Sequence, residues 1–342
     1  MPRMCRLNRV KDNSIFIIGE AATCHGGDER DAHALVDAAS KAGCSAIKFQ
    51  LIEPAELYAP RIPENGTTVA NPARAAREKE KLPLAAWKEI RAHCDDAQIQ
   101  FSATVFGLSS LELLLALEPD FLKIASTDTN FTSFVRALGS VGLPIFLSTG
   151  MSSLSEVQMS VNVLRESSCP SVCILHCVSV YPCPPHLANL PRLECLKTLG
   201  FPVGFSDHTL GVGAAAAAVA MGAVAIEKHM KLAEGSPTAD SEHSLDEEGL
   251  AHFVAEIKAT KAALEDRGFE LDPQERDVAS RARRGAYAAQ WLARGHILQS
   301  TDISWLRPAT DLRPNEEAEI VGRRLLREVN AGDPIYSKDI GT

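Results

Sequence analysis

Short runs of consecutive apolar, β-branched residues alternate along the chain with longer stretches whose apolar positions recur every three to four residues. The first kind predicts buried parallel strands and the second amphipathic helices. Ser14–Ala22 is such a run, Asp31–Gly43 has helical spacing, and Ser45–Gln50 is a second strand. Leu51–Leu82 breaks the rhythm: it is polar, contains several prolines and shows little periodicity. A stretch that long predicts a binding loop or lid. A helix follows over Pro83–Ala97, with Pro83 placed in its first turn.

Regular alternation then resumes. Strands are predicted at Ile99–Phe106, Phe121–Ser126, Pro144–Gly150, Val172–Val178, Pro202–Thr209 and Val224–Met230. Each precedes a helical segment, the last over Leu245–Gly268. Eight such units favour an α/β fold closed as a (β/α)8 TIM barrel over an open doubly wound sheet. No G-x-G-x-x-G follows the first strand, which further weakens a dinucleotide-binding reading.

After Gly268 the pattern changes. Leu271–Arg284 is charged with helical character, and short strands and turns follow. Ala293–Ile303 and Asn330–Ile340 align at Gly295/Gly332, Ser300/Ser337, Asp302/Asp339 and Ile303/Ile340, 37 residues apart. A repeated turn–strand unit predicts a small β-rich domain. The expected plan is a barrel over residues 1–270, a linker over 271–283 and the small domain over 284–342.

Composition narrows the function. A net charge of -9 argues against a general nucleic-acid or anionic-membrane binder. The first residues lack the apolar core of a signal peptide, and Leu210–Ile226, mostly Ala and Gly, falls short of a membrane span. Nine cysteines, an odd count with several in predicted strands and helices, argue against a disulfide framework, and the run Cys169, Cys173, Cys177 fits no zinc-pair spacing. Cys173 and Cys177 read as small hydrophobes on one side of a strand. The expected compartment is a reducing cytoplasm.

In a barrel the working residues come from the C-terminal ends of strands. Those ends carry Glu20; Lys48 and Gln50; Thr104; Lys123 and Ser126; Ser148 and Thr149; His176, Ser179 and Tyr181; Ser206, Asp207 and His208; and Glu227, Lys228 and His229. All are expected at one mouth. Lysines at two different strand ends, with hydroxyls at others, suit phosphate and carboxylate. Two imidazoles with an added carboxylate suit a divalent metal such as Mn, Zn or Fe.

Several of these segments together resemble the sialic acid synthase family. They are Ile18-Gly19-Glu20-Ala21 with His25-Gly26-Gly27-Asp28, Lys48-Phe49-Gln50, Lys123-Ile124-Ala125-Ser126, Leu147-Ser148-Thr149-Gly150-Met151, His176-Cys177-Val178-Ser179 leading to Tyr181-Pro182, Phe205-Ser206-Asp207-His208-Thr209-Leu210-Gly211, and Glu227-Lys228-His229. The tail resembles that family's antifreeze-like (SAF) domain. The resemblance implies condensation of phosphoenolpyruvate with an N-acylated amino-sugar aldehyde and release of phosphate.

It also implies site roles. His208 and His229 would hold a divalent metal, Mn2+ first, with Mg2+ or Co2+ as alternatives, and the metal would polarise the aldehyde. Phosphoenolpyruvate would sit among Lys48, Thr104, Lys123, Ser126, Ser148, Ser179 and Ser206. Lys48 and Thr104 would face its carboxylate, and Lys123 and the serines its phosphate. Glu20 and Glu227 are the catalytic candidates, with their separate roles open. Gln50, Tyr181 and Asp240 would contact the acceptor. Arg307 would reach it from the partner in a domain-swapped homodimer.

The chain departs from the family at Cys24-His25-Gly26-Gly27, where Asn-His-Asn-Gly is common, and at Ser179, where Asn is common. Leu51–Leu82 also matches the family poorly. The acceptor therefore stays open among N-acetylmannosamine, legionaminic and pseudaminic precursors, or another aldose. The alternatives are a 3-deoxy-ulosonate synthase using a phosphorylated aldose and a non-catalytic carbohydrate-binding relative.

Overall fold

The computed structural model describes residues 14–235, 238 and 240–341. They form two compact units that divide between Glu265 and Asp266, slightly before the expected end of the barrel at residue 270.

In the first unit the apolar runs become parallel strands: β1 (Phe16–Ala22), β2 (Ala46–Leu51), β5 (Gln100–Val105), β6 (Leu122–Ile124), β7 (Ile145–Ser148), β8 (Val172–Cys177), β9 (Val203–Asp207) and β10 (Ala225–His229), the numbers β3 and β4 belonging to a hairpin inserted after β2. β1 pairs with both β2 and β10, so the eight strands close in the order β1-β10-β9-β8-β7-β6-β5-β2. This is the predicted (β/α)8 barrel.

The outer helices are α1 (Glu29–Ala42), α4 (Leu84–Asp96), α5 (Leu108–Leu115), α6 (Thr132–Gly139), α7 (Leu154–Arg165), α8 (Arg192–Lys197), α9 (Gly213–Ala220) and α10 (Glu247–Ala263), with α2 and α3 in the same insertion as the hairpin. α1 shows why the sequence makes them. Asp28 accepts from the Arg30 amide at 2.8 Å and caps the start. Ala32, Leu35, Val36 and Ala39 form the buried stripe. Gly43, at φ 80°, ends the helix in a conformation that favours glycine.

Alternation along the strands divides the side chains between two cores. Outward residues such as Ile17, Ile47, Phe101 and Leu147 pack against the helices. Inward residues fill the lower barrel, where Phe16, Phe121 and Phe146 meet at ring-centroid distances of 5.1 to 6.1 Å. With Ile18 and Leu175 they plug that end. Full burial of one such ring contributes roughly 2–3 kcal/mol. The upper half of the interior is left to polar side chains.

The segment Leu51–Leu82 corrects an expectation. It is folded rather than an irregular loop: helix α2 (Pro54–Leu57), a hairpin of β3 (Arg61–Glu64) and β4 (Thr67–Ala70), and helix α3 (Pro72–Lys79). Asn65-Gly66 makes the two-residue turn, with φ 47° and 79°. That dipeptide is a strong local hairpin signal, but a search for long periodicity passes over it. Glu56 then caps α5, accepting from the amides of Ser109 at 2.8 Å and Ser110 at 3.2 Å. Pro83 precedes α4 as its cap residue instead of lying in its first turn.

The second unit begins with the charged stretch, which folds as helix α11 (Pro273–Ala282). Two antiparallel pairs follow, β11 (Gly285–Ala288) with β12 (Ile303–Leu306) and β13 (Arg324–Leu325) with β14 (Ile340–Gly341). Ala286, Leu298, Ile320, Leu325 and Ile335 are among its core residues. The sequence repeat is a structural one. Gly295 and Gly332 have φ 86° and 83°. Ser300–Asp302 and Ser337–Asp339 each form a single 3-10 turn leading into a strand. Asp302 accepts from the Gln299 amide at 2.9 Å, and Asp339 from the Tyr336 amide at 3.0 Å. The matched aspartates therefore close both turns.

Candidate active site

Strand alternation selects which of the strand-end groups reach the mouth. On β9 and β10, Ser206, Glu227 and His229 face the interior, while Asp207 and Lys228 face outward. Lys228 Nζ donates to Asp207 Oδ2 at 2.8 Å and lies 5.1 Å from the Phe253 ring of α10. His176 likewise turns out, with Nε2 2.7 Å from the Ala188 carbonyl. Thr149 bonds the Leu175 carbonyl at 3.1 Å. The expectation that every strand-end group points at one mouth is thus corrected: Asp207, Lys228, His176 and Thr149 belong to the barrel wall, because successive strand residues point to opposite faces.

The remaining groups converge. Glu20, Lys48, Gln50, Thr104, Lys123, Ser126, Ser148, Ser179, Tyr181, Ser206, His208, Glu227 and His229 line one cavity. At its floor Lys48 pairs with Glu20, donates to Thr104 Oγ1 at 2.8 Å and lies 3.7 Å from Glu227. Lys123 Nζ is 3.3 Å from Glu227 Oε1, and Ser206 donates to the same oxygen at 2.8 Å. Gln50 donates to Glu20 at 3.3 Å. All four charged groups are almost fully buried.

The two carboxylates are driven apart. Burial pushes Glu20 up to about 7, against the pull of the Lys48 ammonium. Burial also raises Glu227, but the ammonium groups of Lys123 and Lys48 outweigh it and hold this carboxyl well below the usual range. Neighbouring acids separated in this way are the usual basis of an acid/base division of labour.

Small residues shape the rim. A Cβ on Gly150 would meet Ser179 Oγ at 2.3 Å, Ser126 Oγ at 2.8 Å and Cys177 Sγ at 3.2 Å. Only glycine lets the chain pass this close to those hydroxyls. The Gly150 amide donates to Ser126 Oγ at 3.0 Å, and Ser148 Oγ is buried with no hydrogen-bond partner. A buried donor left unsatisfied costs roughly 1–3 kcal/mol, so this hydroxyl is ready for an anionic oxygen.

At the outer edge, the rings of His208 and His229 lie 5.3 Å apart between centroids, and Tyr181 sits 4.1 Å from His208. His208 Nδ1 is 2.8 Å from the Val178 carbonyl. A carbonyl only accepts, so Nδ1 carries a proton, which leaves Nε2 as the nitrogen available to a metal. Burial pushes His229 far down, helped by the neighbouring imidazoles, which keeps it neutral. A divalent metal fits this donor set: His229 Nδ1 is buried without a partner, and so are Asp240 Oδ2 and His243 Nε2 beside it.

Two residues of this edge were missed from sequence. His243 lies in a polar loop outside any strand pattern, and the only signal was a histidine three residues after the flagged Asp240. Cys177 reads as a small hydrophobe in the strand pattern, yet its Sγ is 3.9 Å from His208 Nδ1 and faces the cavity. Burial raises this thiol, but the His208 contact outweighs it and draws it below the ordinary range. Cys24, at one departure from the family pattern, places its sulfur 3.5 Å from Thr238 in the same loop. Asp240 does not line the cavity but brings a carboxylate oxygen within 4.8 Å of a ring nitrogen of His229, whereas Arg307 is exposed in the second unit just after β12.

The chain is similar to known proteins along most of its length. The NeuB family model matches residues 35–268, and the SAF domain model matches residues 283–341. The chain is 30% identical to N,N'-diacetyllegionaminic acid synthase of Legionella pneumophila over 98% of both chains. It is 29% identical to a pseudaminic acid synthase of Campylobacter jejuni over 96% of this chain and 97% of that one. Among solved structures, the N-acetylneuraminic acid synthetase of Leptospira borgpetersenii in complex with citrate is 32% identical, with a TM-score of 0.68 over 78% of this chain and 90% of that one. No helix among the described residues is long and apolar enough to cross a membrane, and all described cysteines are free.

Proposed function

This chain belongs to the NeuB family, and we propose from that premise that it is a nonulosonic (sialic-type) acid synthase. It would condense phosphoenolpyruvate with an N-acyl amino-sugar aldehyde and release phosphate, as a transferase. The observation that carries this reading is the floor of the cavity. Two buried ammonium groups, Lys48 and Lys123, stand beside two carboxylates with opposite proton affinities and an unpartnered serine hydroxyl.

The chemistry follows from that floor. Lys48 with Thr104 suits the carboxylate of the enolpyruvate, and Lys123 with Ser126, Ser148, Ser179 and Ser206 suits its phosphate. Preorganised donors in a dry site are worth far more than the same groups in water. C3 of the held enolpyruvate forms a bond to the aldehyde carbon, which leaves C2 electrophilic and the aldehyde oxygen negative. Water adds at C2. The C2–O bond to phosphate then breaks as the C2 hydroxyl becomes the ketone, so phosphate departs with the bridging oxygen and takes up that hydroxyl's proton. Glu20, which sits near pH 7, takes the proton from the water and returns it to the new alkoxide. Glu227 stays ionised and holds both lysines in place.

His208 and His229 would hold a divalent cation, Mn2+ first, which when bound supplies Lewis acidity to the aldehyde oxygen. Gln50, Tyr181 and Asp240 stand on the acceptor side. By family likeness we also infer a homodimer in which Arg307 serves the partner's acceptor. Truncation before Arg284 would then leave a folded barrel with severely impaired condensation, and full activity would remove Arg307 from the account.

The test is a product screen. Purified protein is incubated with phosphoenolpyruvate, Mn2+ and a panel of N-acyl hexosamines, including 2,4-diacetamido sugars. Phosphate release and product mass are read together. A product equal in mass to acceptor plus phosphoenolpyruvate plus water minus phosphoric acid supports the synthase. Turnover only with phosphorylated aldoses would make it a 3-deoxy-ulosonate synthase, and no phosphate release at all would leave a binding protein.

A further inference from the structure

The loop between β10 and α10 brings two more donors to the metal edge than the two strand-end histidines. One donor atom each of His229, Asp240 and His243 lie within 4.8 Å of one another. On an ion bound at ~2.1 Å, opposite donors stand about 4.2 Å apart and adjacent ones about 3 Å, so these three side chains must draw inward to share one ion. His229 and His243 are each more than nine-tenths buried. The unpartnered atoms include His229 Nδ1, His243 Nε2 and Asp240 Oδ2. His243 Nε2 is 3.7 Å from Asp240 Oδ1, too far for a hydrogen bond. Buried polar atoms in native proteins nearly always have partners, and a cluster of three without them points to an ion.

Hydrogen bonds among the described residues of the loop hold them in place. The Leu245 amide donates to the His229 carbonyl at 3.0 Å, and the Lys231 amide to the Leu245 carbonyl at 2.8 Å. Thr238 accepts from or donates to Ser241 Oγ at 3.1 Å, while its amide donates to that oxygen at 2.9 Å. Ser244 Oγ donates to the Asp240 carbonyl, and Cys24 touches Thr238. His243 also stacks into the histidine group, 4.8 Å from the His229 ring and 4.8 Å from Tyr181.

We propose that the divalent-metal site of this protein is extended by the loop, with His243 and Asp240 joining the strand-end histidines as ligands. This rests on the metal-dependent reading above and adds a third imidazole and a carboxylate to it. A harder donor and a further nitrogen should tighten Mn2+ binding before any substrate arrives. The site would then hold its metal between turnovers instead of relying on the acceptor to complete the coordination.

The experiment uses the full chain, stripped of metal by chelation and titrated with Mn2+ alone, without substrates. Free Mn2+ is read by electron paramagnetic resonance, and coordinated imidazole nitrogens are counted by electron spin-echo modulation. Wild type should show one site with three imidazoles. His243→Gln should lower Mn2+ affinity at least about tenfold and reduce the count to two, with unchanged circular dichroism. Asp240→Asn should lower affinity while keeping the count at three, and it decides the matter if the histidine variant does not fold. Unchanged affinity and nitrogen count in His243→Gln, or unchanged affinity in Asp240→Asn where that variant must decide, overturns the extended site but leaves a two-histidine site standing. Loss of binding in His229→Ala supports the shared reading, and absence of Mn2+ binding by wild type overturns both.

Discussion

On β9 and β10, one step along each strand separates two buried ionic systems. Asp207 and Lys228 face the helices, and Ser206 and Glu227 face the cavity. The outward pair is complete. Lys228 donates to Asp207 and to the Thr209 carbonyl and lies over Phe253, while Asp207 also receives the Thr209 amide and hydroxyl at 2.8 and 2.7 Å. The inward system is not complete. Two lysines share two carboxylates of different proton affinity, and Ser148 beside them has no partner. The same residue types thus serve as a closed structural joint on one face and as an open binding floor on the other. What separates them is the satisfaction of their hydrogen bonds, since burial is equally deep in both.

The largest effect should come from breaking the closed joint. Asp207→Asn leaves the Lys228 ammonium buried without its counter-charge, which costs about 3–5 kcal/mol. Chemical denaturation should show that loss, with the phosphoenolpyruvate requirement of the remaining folded protein unchanged. Replacing both partners together, Asp207→Leu with Lys228→Met, should recover most of the stability, because the unpaired charge is gone. A double variant as unstable as the single one would show that the pair is more than a joint.

Lys123→Ala should do the converse. It removes a donor from the open floor, and kcat/KM for phosphoenolpyruvate should fall about 10²–10³-fold, the usual loss for one preorganised donor. The melting temperature should not fall in step with it. The acceptor requirement should change less. A parallel loss of stability and activity would erase the distinction between the two faces.

The third prediction concerns pH. Glu20 has its folded value raised from 4.5 to about 7. The native state therefore holds this proton more tightly than the unfolded chain. Its stabilising effect is fully present below pH 4.5 and is lost as pH rises towards 7. Glu20→Gln removes that loss. The melting temperature of the variant relative to wild type should climb between pH 4.5 and 7 and then level off, while condensation is severely reduced. A difference that stays flat across this window would show that Glu20 is ionised like an ordinary surface carboxylate.

The strand runs made the barrel legible, since fully buried parallel strands are apolar almost throughout. Their polar ends made most of the site legible as well. Alternation was the limit: from sequence alone Lys228 and Lys123 look alike, and only the register of a closed barrel turns one outward. His243 was hidden for another reason. It lies in a loop placed by hydrogen bonds from the Leu245 amide and Ser244 Oγ and by the Thr238 amide bonding Ser241 Oγ, and no periodicity announces such a position. Asn65-Gly66 was readable in principle, as a local turn signal inside a stretch that lacks longer rhythm.

The smallest effect sharpens the comparison most. Ser148 Oγ is buried and unpartnered, while the Ser148 carbonyl is bonded by Thr129 Oγ1 at 2.6 Å, so the backbone here is already secured. Ser148→Ala removes only the waiting hydroxyl. If that hydroxyl serves the phosphate, phosphoenolpyruvate affinity should weaken by about 1.5 kcal/mol, roughly tenfold, because one charge-assisted hydrogen bond is lost. The unliganded protein should melt at the same temperature or slightly higher, since an unsatisfied polar atom has been deleted. Titration calorimetry and a melting curve on the same samples test both halves. A variant that loses stability and keeps its affinity would mean that Ser148 belongs to the closed kind of polar group, and the open floor would shrink to Lys48, Lys123 and their carboxylates.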